Sequence, residues 1–246
     1  MSSPIINDET GLPINQQKIC YVYIPGFDFT IQGCLCIKGE IAVDYKRLSV
    51  MGTNCYLIWD EYTQNAACID PGFAGRKIAK EIKNFGLHLQ YIFLTHSHAD
   101  HVSGIDDLCT ELECSPVIFM SQTEQEYGEF PFKKVWGNKC KMKFWEEQTS
   151  VTLDSVKFKI VFTPGHSPGS VCIIADKCLF SGDLLTEKSI GRVDLFGGNA
   201  DDMLESLKVI VAFPESLKVL PGHDSITTIG EIKRKNALLH SLLTCR

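Results

Sequence analysis

"FLTHSHADHVSG" (residues 93–104) places three histidines and an aspartate within six positions: His96, His98, Asp100 and His101. The whole chain holds seven histidines, so the concentration here is not a matter of composition. The four residues before His96 read Ile-Phe-Leu-Thr, an apolar run typical of a buried strand, and Gly104 follows the cluster. A strand that ends in polar residues with a helix beyond it is, in α/β proteins, where ligands bind.

Neutral imidazole and carboxylate are the usual ligands of zinc and related divalent ions. Two histidines separated by one residue can face one ion where the backbone turns sharply after a strand. Asp100 and His101 follow from the start of the next helix and need not point at the same ion, which invites two ions rather than one. Burying three imidazoles and a carboxylate together without a cation would leave costly polar groups unsatisfied.

Two ions need more ligands, and other strand ends offer them. "TPGHSPGS" (163–170) places His166 after an apolar strand, "FSGDLL" (180–185) does the same for Asp183, and "LPGHDS" (220–225) for His223. Each sits beside glycine, which lets backbone approach closely. A lone histidine at a strand end is more often structural or solvated, and His88 and His240 take that reading.

The rest of the chain is regular from about residue 47 onward. "NCYLIWD" (54–60) and "NAACIDPG" (65–72) read as strands joined by a polar turn. "AGRKIAKEIKNFG" (74–86) reads as an amphipathic helix closed by Gly86. A strand 89–95, a helix 102–112 and a strand 115–120 follow. Residues 122–148 read as irregular. Hairpins are expected to turn at Asp154-Ser155 and Asp176-Lys177. A helix at about 200–212, a strand 217–222 and a last helix 229–243, with Ile229, Ile232, Leu239 and Leu243 on one face, finish the chain. Residues 1–18 are polar and read as loosely attached, and residues 19–45 suggest one or two strands. Two runs of strands interleaved with helices suggest a layered α/β domain with two packed sheets.

Composition excludes several classes. The net charge of −6 argues against nucleic acid as a partner, because phosphate binding needs a basic field. No apolar run approaches the roughly 20 residues that cross a membrane, and the N-terminus lacks the pattern of a signal peptide. The eleven cysteines form no CxxC pair, so reduced thiols in a cytoplasmic protein are expected. Cys34-Leu-Cys36 is weak evidence for a metal, and a small apolar role is preferred.

Taken together, these motifs make the chain resemble the metallo-β-lactamase superfamily. The family pattern His-x-His-x-Asp-His matches His96, His98, Asp100 and His101, and the later His, Asp and His match His166, Asp183 and His223. The resemblance spans roughly residues 47–240. It is nearest the short glyoxalase II-like hydrolases, through "SIGRVDLFGG" (189–198) and "TTIG…N" (227–236). It implies an αββα sandwich of four layers with the site at one edge between the sheets, formed by residues 46–246 after an N-terminal extension, 1–45, of unassigned role. It also implies that His96, His98 and His166 hold one divalent ion and Asp100, His101 and His223 a second, with Asp183 between them. Zinc is the first expectation, with iron or manganese as alternatives. Asp100 and Asp183 would be the catalytic carboxylates, and Asp70 would orient a ligand by hydrogen bonding, against an equal reading as a turn residue in "DPG".

The activity implied is hydrolysis of a small thioester or ester, most closely an S-acylglutathione such as S-lactoylglutathione, by hydroxide held between the ions. Two other readings stand beside it: a persulfide dioxygenase with one iron on the same fold, and a non-catalytic binding protein on this scaffold. Classical glyoxalase II enzymes add a helical domain after the last ligand. Only 23 residues follow His223 here, so that domain is expected to be absent. Lys133, Lys134, Lys139, Lys141 and Lys143, flanked by Trp136, Phe144 and Trp145, form a basic segment in an acidic chain. Either it is a solvated loop, or Lys139, Lys141 and Lys143 attract an anionic substrate that Arg192 grips.

Overall fold

The computed structural model describes residues 34–38, 42–44, 49–60, 62–127, 140–147 and 150–244, and for 34–38, 42–44 and 49–51 the backbone alone. In chain order the strands are β1 (Cys34–Lys38), β2 (Ala42–Asp44), β3 (Ser49–Met51), β4 (Asn54–Trp59), β5 (Asn65–Ile69), β6 (His88–Phe93), β7 (Val117–Met120), β8 (Lys141–Phe144), β9 (Ser150–Leu153), β10 (Val156–Phe162), β11 (Val171–Ala175), β12 (Cys178–Gly182), β13 (Lys218–Pro221) and β14 (Thr227–Thr228). The helices are α1 (Gly75–Asn84), α2 (Ala99–Val102), α3 (Ile105–Leu112), α4 (Gln122–Tyr127), α5 (Ala200–Val211), α6 (Ile229–Lys235) and α7 (Ala237–Thr244).

The strands form two six-stranded sheets, ordered β1-β4-β5-β6-β7-β8 and β14-β13-β12-β11-β10-β9, with a small ribbon β2-β3. Both sheets are mixed: β5, β6, β7 and β8 run parallel in the first, and β12 and β13 in the second.

Alternation along the strands builds the layers, because successive side chains leave opposite faces of a sheet. On β4, Cys55 and Leu57 join Ile78 and Ile82 of α1 and Ile105 and Leu108 of α3, while Tyr56 and Ile58 face the second sheet. On β12, Phe180 points between the sheets and Leu179 points outward to Leu207, Ile210, Ile229 and Ile232. The described residues thus form three apolar cores and four layers: helices, sheet, sheet, helices. The middle core centres on Phe93, whose ring packs against Phe158, Trp145 and Phe119 at 4.7, 5.1 and 5.6 Å. The expected αββα sandwich is the observed fold.

Both expected hairpin turns occur, with Asp154 at φ 49° and Asp176 at φ 50°, the left-handed conformation that two-residue hairpins demand. Three expectations need correction. The helix expected over 102–112 is two pieces, α2 and α3, separated at Ser103-Gly104, where Gly104 packs against backbone of Gly72 and Gly75. The segment 122–148 is not wholly irregular, since it contains α4 and the edge strand β8. The last helix breaks at Asn236. The Asn236 amide donates to the carbonyls of Thr186 and Ser189, and its oxygen accepts from the backbone of Leu239, so the break ties the chain end to the loop after Asp183. Within residues 19–45, where one or two strands are expected, β1 pairs with β4 in the first sheet. Residues 1–33 and 128–139, with the readings made on them, lie outside the described residues. Among the described residues no helix is long and apolar enough to cross a membrane.

Candidate metal centre

All the histidines and aspartates singled out in the motifs leave the same edge of the sandwich. His96 and His98 lie on the turn after β6, and Asp100 and His101 on the short α2 that follows. His166 follows β10, Asp183 follows β12 and His223 follows β13. The strands fix where each turn begins, so residues 127 positions apart in sequence converge.

Their inner atoms form three overlapping groups, each with donors within 4.8 Å of one another: His96, His98 and His166; His96, His101 and Asp183; and Asp100, His101 and His223. His98 Nδ1 lies 3.1 Å from His96 Nε2 and 2.9 Å from His166 Nε2. His223 Nε2 lies 3.2 Å from Asp100 Oδ2. Asp183 reaches both halves, with Oδ1 3.2 Å from His101 Nε2, and Oδ2 3.3 Å from His223 Nε2 and 3.5 Å from His166 Nε2.

Four outer ring nitrogens are held by the protein. His101 Nδ1 donates to Asp70 Oδ2 at 3.0 Å, His166 Nδ1 to the carbonyl of Arg192 at 2.8 Å, and His223 Nδ1 to the carbonyl of Gly52 at 2.8 Å. His96 Nδ1 lies 3.0 Å from Thr95 Oγ1, which itself donates to Asp70. Fixing one nitrogen sets the tautomer and aims the other inward, as in protein metal sites. Asp70 lies within hydrogen-bond reach of both His101 and Thr95, and its φ of 48° makes it a turn residue as well.

The inner set suits a divalent cation. His101 Nε2 and Asp183 Oδ1 are buried, face each other, and have no hydrogen-bond partner of acceptable geometry. Such atoms are costly unless a ligand satisfies them. Gly222 is required here, because a β-carbon on it would collide with Asp183 Oδ1 and His101 Cε1.

In the metal-free state these groups perturb one another strongly. Burial opposes charge on His101, but the Asp183 and Asp70 carboxylates outweigh it and raise its pKa well above the ordinary value. Burial likewise works against His223, yet its bonds to Asp100 and Asp183 lift it to about 10. Burial would raise Asp100, but its bond to His223 and the charge of His101 bring it down to about 2. Asp183 is held well below the carboxylate range, since His101 and His223 overcome its burial. His96 goes the other way, pushed far down by burial and by the charge of His101.

Several contributors were not anticipated. Thr53 donates to Asp100 Oδ2 at 3.0 Å, and the Asn54 amide donates to the carbonyls of Pro221 and Asp224. With Gly52 they make the turn before β4 a brace for the half containing Asp100 and His223. Glu124, fully buried, joins the turn carrying His96 and His98 to the one carrying His166. The signal for it was present: Ser121-Gln-Thr-Glu124 after a strand is a helix-start pattern. No such local signal exists for Thr53.

The basic residues fall elsewhere. Arg192 points its guanidinium at Asp194, with Nε and Nη2 each 2.9 Å from a carboxylate oxygen. Lys141 and Lys143 are exposed on edge strand β8, and Lys143 lies over the Phe119 ring. Lys139 lies outside the described residues. Burial raises the Cys172 thiol to about 12.

Residues 48–223 match the sequence model of the Metallo-beta-lactamase superfamily. The chain is 33% identical over 199 residues to hydroxyacylglutathione hydrolase GloC of Haemophilus influenzae, an alignment covering 76% of this chain and 93% of that one. Among solved structures it is similar to TTHA1623 in a di-iron-bound form (31% identity, TM-score 0.62, 76% and 95% covered). It is also similar to ETHE1 from Myxococcus xanthus (26% identity, TM-score 0.65, 85% and 90% covered).

Proposed function

Because the chain belongs to the metallo-β-lactamase superfamily, we propose that it is a dinuclear metal-dependent hydrolase of a small thioester, most closely an S-acylglutathione. One observation carries the reading: seven side chains bring ligand atoms together, four of the histidines have their outer nitrogens anchored, and Asp183 is in reach of both halves. His96, His98 and His166 would hold one ion, and Asp100, His101 and His223 the other, with Asp183 shared. Bound divalent ions supply Lewis acidity, polarising a carbonyl and making water nucleophilic near neutral pH.

The chain's own residues do the remaining work. Asp70 keeps Nε2 of His101 aimed inward and, through Thr95, does the same for His96. Thr53 holds Asp100 against rotation. The choice of thioester is supported by the likeness to GloC, a hydroxyacylglutathione hydrolase. Zinc is the first assignment, and the di-iron form of TTHA1623 keeps iron as an alternative.

A persulfide dioxygenase with one iron is the second reading, compatible with the likeness to ETHE1. A non-catalytic role fits poorly with a complete ligand set. Elemental analysis of protein purified without chelator, combined with thiol release from S-lactoylglutathione and oxygen uptake with a glutathione persulfide, separates the three. Two ions and thiol release support the hydrolase. One iron with oxygen uptake replaces it, and absence of bound metal with neither activity leaves the binding protein.

A further inference from the structure

We propose that Glu124 is the positioning residue for the three-histidine half of the centre, so that its loss weakens the ion held by His96, His98 and His166 and spares the other half. The proposal rests on the metal-binding reading above. Glu124 has no solvent exposure, and both its oxygens are engaged. Oε1 accepts from the backbone N of Ser97 at 2.9 Å and from Ser97 Oγ at 2.6 Å. Oε2 accepts from Ser167 Oγ at 2.8 Å and from the backbone N of Gly169 at 2.9 Å.

The arrangement has a direction. Ser97 lies between His96 and His98, and Ser167 follows His166. One carboxylate therefore locks two turns, separated by some seventy residues of chain, at the place where their imidazoles meet. All four donors are neutral, and a buried carboxylate without a cation is held in place only by such bonds. The approach is tight on the other side too: a β-carbon on Gly169 would run into the backbone of Glu124 and Ser121 Oγ. Metal–ligand distances tolerate only about 0.2 Å, so the relative position of these turns governs whether three nitrogens can share an ion.

The second half is braced by different residues. Asp70 holds His101, Thr53 holds Asp100 and the Gly52 carbonyl holds His223. The carboxylate of Glu124 bonds Ser97, Ser167 and Gly169, all on the turns of the three-histidine half, which is why the effect should be one-sided.

The test uses the full chain, Co²⁺ as the probe, and chelator competition followed by visible absorption. Glu124→Gln keeps the size of the side chain but turns an amide NH₂ towards donors. It should leave the thermal transition near that of the wild type and weaken one of two cobalt sites by about 10–100-fold, the usual effect of losing a partner that orients a ligand. The surviving spectrum should match that of His98→Ala and not that of His223→Ala. Ser97→Ala and Ser167→Ala, which each remove one hydroxyl donor, should shift the same site less, and they decide the matter if Glu124→Gln fails to fold. Wild-type affinity at both sites in these variants, or equal loss at both, overturns the proposal while leaving the hydrolase reading intact. A wild-type chain that binds no cobalt overturns both.

Discussion

Asp70 Oδ2 stands 3.0 Å from His101 Nδ1, and the same oxygen accepts from Thr95 Oγ1 at 2.7 Å. Since Thr95 Oγ1 is also 3.0 Å from His96 Nδ1, one carboxylate orients a histidine in each half of the centre. Asp70→Asn should therefore weaken both ions, by about 10–100-fold, with the fold retained. Chelator competition on the purified variant checks this. Loss confined to one ion would mean that the route through Thr95 carries no orientation.

Asp183 is the residue within reach of both ligand groups. Asp183→Ala should reduce metal content and lower thioester turnover by several orders of magnitude, while circular dichroism stays close to that of the wild type. Gly222→Ala should act in the same direction from the backbone, because the added methyl occupies the space against Asp183 and His101. Near-normal hydrolysis by Asp183→Ala would remove Asp183 from the shared position.

The layered fold and the ligand candidates were legible because both depend on local pattern. Strand ends read as apolar runs stopped by glycine and polar residues, and Asp154 and Asp176 mark hairpins by residue type alone. What sequence did not show depends on distance across the fold. The hold of Thr53 on Asp100 joins residues 47 positions apart, and nothing near Thr53 announces it. The breaks at Gly104 and Asn236 fall inside helical periodicity, which carries through them unchanged. Their cause is tertiary, close backbone packing at one and a link to the 186–189 loop at the other.

The metal-free protein should have its own pH profile. His223 rises from the ordinary 6.5 to about 10 on folding, so its stabilisation is complete below pH 6.5 and is lost as pH climbs through about 10. Asp100 falls from 3.8 to about 2, so its contribution is present above 3.8 and disappears as pH drops through about 2. The two groups face each other across 3.2 Å and describe one shared pair. Chelator-treated protein should thus be most stable between these limits, in mildly acidic solution. Metal binding requires neutral imidazoles, so the loaded protein should gain stability as pH rises from 6 to 8. Melting temperature against pH, with and without chelator, tests both slopes, and coincident curves would contradict them.

Arg192 and the β8 lysines remain the proposal for substrate attraction, and the structure sharpens how they should be tested. The guanidinium of Arg192 is exposed and bound at both ends to Asp194, whereas its carbonyl, not its side chain, anchors His166. Arg192→Ala should therefore leave metal content intact. An exposed ion pair contributes about 0–1 kcal/mol, so stability should change little as well. If the side chain exchanges Asp194 for a substrate carboxylate, KM should rise with kcat nearly unchanged, and Asp194→Asn should lower KM by freeing the guanidinium. Lys141 and Lys143 act at longer range, so neutralising both should raise KM modestly and flatten its dependence on salt. Kinetics on an S-acylglutathione with KM unmoved in all these variants would return Arg192 to a brace within its loop and the lysines to a solvated edge strand.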